Sequence, residues 1–295
     1  MKEFFKNCLQ GFSMALADSV PGVSGGTVAF VLGFYDKFIN SLNTLISRKG
    51  DKKEAVKFLV KLGIGWAIGM GLASFILSSL FETHIYQVSS LFIGFIIFAI
   101  PLIIKEEKEN VKGKYKNLIF TIIGIIIVSG ITYFNPQTGS GANIDITNLN
   151  FGLALYVFVA GMIAISAMIL PGISGSTLLL IFGLYISIIT GIKETLHFNL
   201  SYLPVLFIFG LGVIAGIASC IKIVKKSLEK YRSQMIYLII GLMIGSIYAI
   251  IMGSTTLTVP QAPLSLKKFN VLCFVVGGLI IFAMEFTKKK LKNKK

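Results

Sequence analysis

The sequence predicts an all-α, polytopic membrane protein of two inverted-topology repeats, each a re-entrant or short helical pair followed by three transmembrane helices. Three observations carry that prediction. Of 295 residues, 55% are hydrophobic and only 14% charged, and several apolar runs approach the roughly 20 residues a helix needs to cross a bilayer core. A polar, glycine-rich break, Ala17-Asp18-Ser19-Val20-Pro21-Gly22-Val23-Ser24-Gly25-Gly26-Thr27, returns 150 positions later as Ala167-Met168-Ile169-Leu170-Pro171-Gly172-Ile173-Ser174-Gly175-Ser176-Thr177. Basic residues, finally, crowd into alternate loops.

The elements follow in order. Lys2 and Lys6 precede an apolar stretch ending Ala15-Leu16-Ala17, which has the outline of a signal peptide. Because Gly11 is matched by Gly161 in the second half, residues 1–20 are expected to belong to the fold instead. Val28 to Ile46 reads as the return helix of the first pair, interrupted by Asp36 and Lys37, which are expected to pair with each other. Spans are expected at about 58–80, 89–104 and 117–134, with basic loops at 47–57 and 105–116 and a loop free of Lys and Arg at 81–88. Gly65, Gly69 and Gly71 suit close helix packing.

A polar external loop, 135–150, joins repeat 1 (1–134) to repeat 2 (151–287). In repeat 2, Phe151 to Leu170 leads into the second motif and 177–192 leads away. Spans are expected at about 202–221, 234–252 and 269–286, before a basic tail, 288–295. The register of the halves agrees: Gly65–Gly94 and Gly212–Gly241 are both 29 apart, and Asn117–Gly124 and Asn270–Gly277 are both 7 apart.

Orientation comes from charge. With both termini and the loops near 47–57, 105–116 and 222–233 in the cytoplasm, every Lys and Arg falls on that side except Lys37, Lys193, Lys267 and Lys268, as the positive-inside rule expects. Three spans per repeat is an odd number, so the second half is inverted. Re-entrant pairs and pairs of full spans both return the chain to its starting side; the short, interrupted segments favour re-entrance. Inverted repeats with broken helices near the midplane are a recurrent transporter plan. The net charge of +15 is thereby topological, with some attraction for anionic membrane lipids and no implied nucleic-acid partner. Cys8, Cys220, Cys273, His84 and His197 are scattered, which leaves no disulfide framework, metal spacing or Ser-His-Asp arrangement. No cofactor or metal is implied.

Pro21-Gly22 and Pro171-Gly172 break their helices, since proline lacks an N–H and glycine tolerates unusual dihedrals. Ser24, Thr27, Ser174 and Thr177 are capping residue types for the helix that restarts. Such a restart presents unpaired N–H groups that hold phosphate or carboxylate without Lys or Arg. The alternative is a pair of packing kinks. Asp18, whose counterpart is Met168, is an acid at membrane depth and so a functional candidate. It would bind H+ or Na+ as substrate moves, or cap the turn. Tyr35 and Tyr185 would donate to a ligand oxygen, or serve as interfacial aromatics.

The doubled pattern, Ala17-Asp18-x-Val20-Pro21-Gly22-Val23-Ser24-Gly25-Gly26-Thr27 with Gly33-x-Tyr35 and Pro171-Gly172-Ile173-Ser174-Gly175-Ser176 with Gly183-x-Tyr185, resembles the polyprenyl-phosphate transporter (PopT) family, formerly a bacterial membrane domain of unknown function. The resemblance covers nearly the whole chain. It implies a translocase of the bacterial cytoplasmic membrane that returns undecaprenyl phosphate, the carrier of cell-wall precursors, from the outer to the inner leaflet. The phosphate is then expected between the turns. Gly22, Ser24, Gly25, Gly26 and Thr27 act from one side; Gly172, Ser174, Gly175, Ser176 and Thr177 act from the other. Asp18 couples a cation. Two competitors remain. One is a transporter of a small water-soluble anion. The other is an intramembrane lipid phosphatase or protease, disfavoured because Asp18 has no acidic counterpart and neither His lies in a motif.

Overall fold

A computed structural model describes residues 2–18, 24–47, 50–133, 150–173, 175, 178–179, 182, 184–196, 198–256 and 261–292. All regular structure among them is helical. Six helical segments are long and apolar enough to cross a membrane: Lys52–Leu72, His84–Glu106, Tyr115–Tyr133, Phe151–Ile169, Leu200–Lys230 and Arg232–Thr255, with Val271–Ala283 a shorter apolar helix. The protein is a polytopic α-helical membrane protein.

Helix α1 (Lys2–Asp18) ends at the first motif, and α2 (Gly25–Val31) restarts after it. The break before α3 (Tyr35–Ile46) falls at Gly33 and not at Asp36 and Lys37, which lie in the first turn of α3. Gly33 takes φ +69°, a conformation that costs glycine little. The Phe34 N–H reaches back to the Ala29 carbonyl at 3.0 Å. The second half repeats the closure, with Leu184 N–H on the Leu179 carbonyl at 2.9 Å.

The expected loop 81–88 is not a loop. Helix α4 runs from Lys52 to Glu106, 55 residues, with only His84 outside helical dihedrals (φ −133°, ψ 31°). A straight helix of that length would reach about 80 Å. Yet Lys37 lies over the Phe58 ring at 4.7 Å, near the start of α4, while neighbouring Asp36 shares Arg232 with Glu107 at its end. The two arms therefore fold back on each other at His84, which stands in for the predicted loop. After α5 (Lys108–Val111) come α6 (Leu118–Tyr133), α7 (Phe151–Ile169) and α8 (Tyr185–Leu196). Then follow α9 (Leu203–Lys230), α10 (Arg232–Met252) and α11 (Val271–Lys292). The basic stretch 222–233 is helix broken at Tyr231, not an open loop. Loop 135–149 and residues 293–295 lie outside the described residues.

Glycines set the packing, and they do so alike in both halves. A Cβ on Gly65 would fall on the Cys8 carbonyl and one on Gly69 on Phe12, so α1 runs parallel to the first arm of α4. At equivalent positions, a Cβ on Gly212 would fall on Phe158 and one on Gly216 on Met162, which binds α7 to α9 in the same sense. The remaining spans cross over. Gly94 abuts Phe274, joining the second arm of α4 to α11, and Gly241 abuts Thr121, joining α10 to α6. Backbones this close leave no room for side chains, and dispersion and weak polar contacts replace them.

At one end of the bundle, Arg232 ties three elements together. It donates to Asp36 Oδ2 at 3.0 Å and to both Glu107 oxygens, at 3.0 and 2.5 Å. Asp36 and Lys37 thus do not pair with each other, because Arg232 offers Asp36 one guanidinium N–H and Phe58 offers the ammonium a ring face. Burial works against the charge on Glu107, but hydrogen bonds from Arg232 and Asn110 and the guanidinium charge hold its carboxyl below the usual carboxylate range.

Candidate functional site

The two motifs meet in the middle of the fold. Helix α7 ends at Ile169. Leu170, extended at φ −80° and ψ 134°, takes the conformation that a following proline favours. Pro171 is buried, and Gly172 turns the chain at φ +90°. A Cβ on Gly172 would sit 2.6 Å from the Leu242 carbonyl of α10, so glycine is required there twice over.

Helix α2 begins against this turn. Thr27 Oγ1 accepts the Gly172 N–H at 2.8 Å, and the Tyr35 hydroxyl donates to the Ile169 carbonyl at 2.9 Å. A Cβ on Gly26 would come within 3.3 Å of the Met168 and Ile169 carbonyl oxygens. Thr27 and Tyr35 are each 1% exposed. Tyr35 is therefore neither at an interface nor open toward a ligand; it closes the end of α7.

The N–H groups of α2 are already paired. Asp18 Oδ1 accepts Gly25 N–H at 2.6 Å, and Ser24 Oγ accepts Gly26 N–H at 3.1 Å. The Ser24 carbonyl takes Thr27 N–H at 2.9 Å. The expectation of open amides at Gly25, Gly26 and Thr27 is corrected on this point: a neighbouring carboxylate and a serine cap supply what the restarted helix lacks. Of the two roles weighed for Asp18, the cap is visible in the geometry. Its other oxygen, Oδ2, accepts the Trp66 ring N–H from α4 at 3.0 Å. Trp66 stayed unnoticed in the sequence, since a lone tryptophan in an apolar span reads as core or interface. It is 38% exposed on the flank of the bundle.

The second motif repeats the crowding at its glycine and not the chemistry. A Cβ on Gly25 would lie 2.7 Å from the Asp18 carboxylate, and one on Gly175 would overlap the Met168 side chain, 2.5 Å from its sulfur. The packing equivalence that matches Gly65 to Gly212 matches Trp66 to Val213. The acid–indole pair of one half is thus a methionine–valine pair in the other. Pro21, Gly22, Ser174, Ser176, Thr177 and the Tyr185 side chain lie outside the described residues. Among the described residues no group of His, Cys, Asp and Glu could hold a metal ion.

Comparison with known proteins falls on the same stretch of chain. The family described as undecaprenyl phosphate translocase-like matches residues 14–268. A polyprenyl-phosphate transporter of Staphylococcus aureus is 37% identical over 250 residues, 85% of this chain and 87% of its own. A polyprenyl-phosphate transporter of Vibrio cholerae is 31% identical over 255 residues, 83% of this chain and 76% of its own. No solved structure matches.

Proposed function

The chain belongs to the undecaprenyl phosphate translocase-like family, and we propose that it carries undecaprenyl phosphate, or a related polyprenyl phosphate, from the outer to the inner leaflet of the bacterial cytoplasmic membrane for reuse in cell-wall precursor assembly. The observation that carries this reading is the junction of the motif turns at Thr27 and Gly172, in a chain similar over most of its length to two polyprenyl-phosphate transporters.

The halves lie inverted in the membrane, with both termini cytoplasmic. Support comes from Asp36, which follows the first motif yet reaches Glu107 and Arg232 at the basic end of the bundle. That is what a first pair returning to its starting side requires. The phosphate head passes between the turns while the prenyl chain stays in lipid beside the exposed Trp66 flank, and rocking of the halves exposes the site alternately. Since Asp18 and Ser24 already occupy the first amides of α2, the head group gains them by exchange. Binding of H+ or Na+ to Asp18 loosens its hold on Gly25, which couples cation to lipid. The protein is a transporter and performs no bond-breaking chemistry.

Purified protein in liposomes, carrying labelled undecaprenyl phosphate and set under pH or sodium gradients, tests this. Outer-to-inner transfer that falls in Asp18→Asn and Ser24→Ala is expected. Normal transfer in both variants removes these residues from the mechanism. Uptake of free phosphate without lipid transfer would favour the small-anion transporter, and phosphate release from undecaprenyl diphosphate the enzyme.

A further inference from the structure

The chain holds a single tryptophan, and its indole lies on the acid of the first motif. Trp66 Nε1–H donates to Asp18 Oδ2 at 3.0 Å while Gly25 N–H donates to Oδ1 at 2.6 Å. Both carboxylate oxygens are therefore acceptors. None of the ion pairs among the described residues includes Asp18. Helix α2 has no titratable side chain. Those of α1, namely Lys2, Glu3, Lys6 and Cys8, lie nearer its start, and the first arm of α4 carries Lys52, Lys53, Glu54, Lys57 and Lys61 before Trp66 and Glu82 and His84 well beyond it. The two donors on the Asp18 carboxyl are thus both neutral N–H groups. In the other half the acid and the indole are exchanged together, for Met168 and Val213.

We infer that Trp66 is a positioning residue: its ring N–H holds Asp18 in the carboxylate form against Gly25 and sets the proton affinity at which that hold is released. A hydrogen bond to an ionised acceptor is stronger than one to a neutral acceptor, so the indole stabilises the charged acid over the protonated one. Without it, Asp18 takes up a proton more readily and leaves α2 sooner. The concerted replacement by Met168 and Val213 fits this pairing, because an indole donor at the position matching 66 has no acceptor in the half that lacks the acid. The consequence for transport rests on the coupling role proposed above; the contact itself does not.

The lone tryptophan makes the test specific. In full-length protein in liposomes, Trp66 emission followed against pH is expected to show one step as Asp18 takes up a proton, and Asp18→Asn is expected to abolish it. Superimposed emission curves for the two proteins would overturn the inference. In the transport assay, Trp66→Phe keeps an aromatic ring and removes the donor. It is expected to move the pH midpoint of lipid transfer upward by about one pH unit, a tenfold gain in proton affinity and the size of one charge-assisted hydrogen bond. An emission step tied to Asp18, with transfer profiles indifferent to both substitutions, would keep the positioning role and remove the coupling role. A midpoint shifted downward in Trp66→Phe would overturn the inference.

Discussion

Gly25 and Gly175 stand alike in the two motifs, each beneath a side chain from seven residues earlier, and differ in what that side chain is. At the first, a carboxylate sits over Gly25 and carries an indole N–H on its other oxygen; at the second, a methionine sits over Gly175. Both glycines are needed because a side chain from seven residues earlier occupies the space of a Cβ. Duplication thus preserved the steric requirement and let the chemistry diverge. A polar pair in one half is enough to make two similar half-sites unequal.

Substitutions that make the halves alike should break that arrangement, and the largest effect is expected from giving the second half an acid. Met168→Asp places a carboxylate where no indole faces it, at a cost of about 3 kcal/mol at membrane depth, seen as a lower thermal midpoint in detergent. Adding Val213→Trp should recover part of the loss; no recovery would sink the equivalence of the two sites. Next come the packing glycines. Gly65→Ala and Gly212→Ala should each destabilise by about 2 kcal/mol through overpacking against Cys8 and Phe158. Gly71→Ala, with no atom within 4 Å of the added Cβ, should be nearly silent in the same thermal assay.

The junction between the turns is the next test. Thr27→Val leaves the buried Gly172 N–H without its partner, a loss of about 1–2 kcal/mol that Thr27→Ser should restore in a denaturation series. Tyr35→Phe, which frees the Ile169 carbonyl, should cost about 1 kcal/mol. The smallest effect is expected at the basic end. Because the folded protein lowers the pKa of Glu107, its contribution to stability is present above the ordinary carboxylate value and is lost as pH falls through the lowered one. Arg232→Gln should flatten that acid limb of the stability curve, and an unchanged limb would show that Glu107 is held by other means.

Much of this could be read in the chain directly. Apolar run length set the spans, and identical glycine intervals showed that the halves share a register. The resemblance of the doubled Pro-Gly-x-Ser-Gly pattern reached the family. Three features escaped such reading. His84 carries a reversal with no glycine or proline to announce it. Gly33 rather than the Asp36-Lys37 pair breaks the return segment, since charged residues at the first turn of a helix do not interrupt it. Trp66 is separated from Asp18 by 48 residues, and no local pattern links them.

The sequence by itself determined the membrane class, the duplication, the two breaks and the asymmetry between Asp18 and Met168, because hydropathy, spacing and residue type are local properties. Only the tertiary structure decided that the breaks touch through Thr27 and Gly172, that Tyr35 closes α7, and that Asp18 spends its two oxygens on Gly25 and Trp66. Those facts depend on which N–H and which oxygen meet once the helices pack, and a capping residue type can be satisfied in the chain or by a ligand with the same composition.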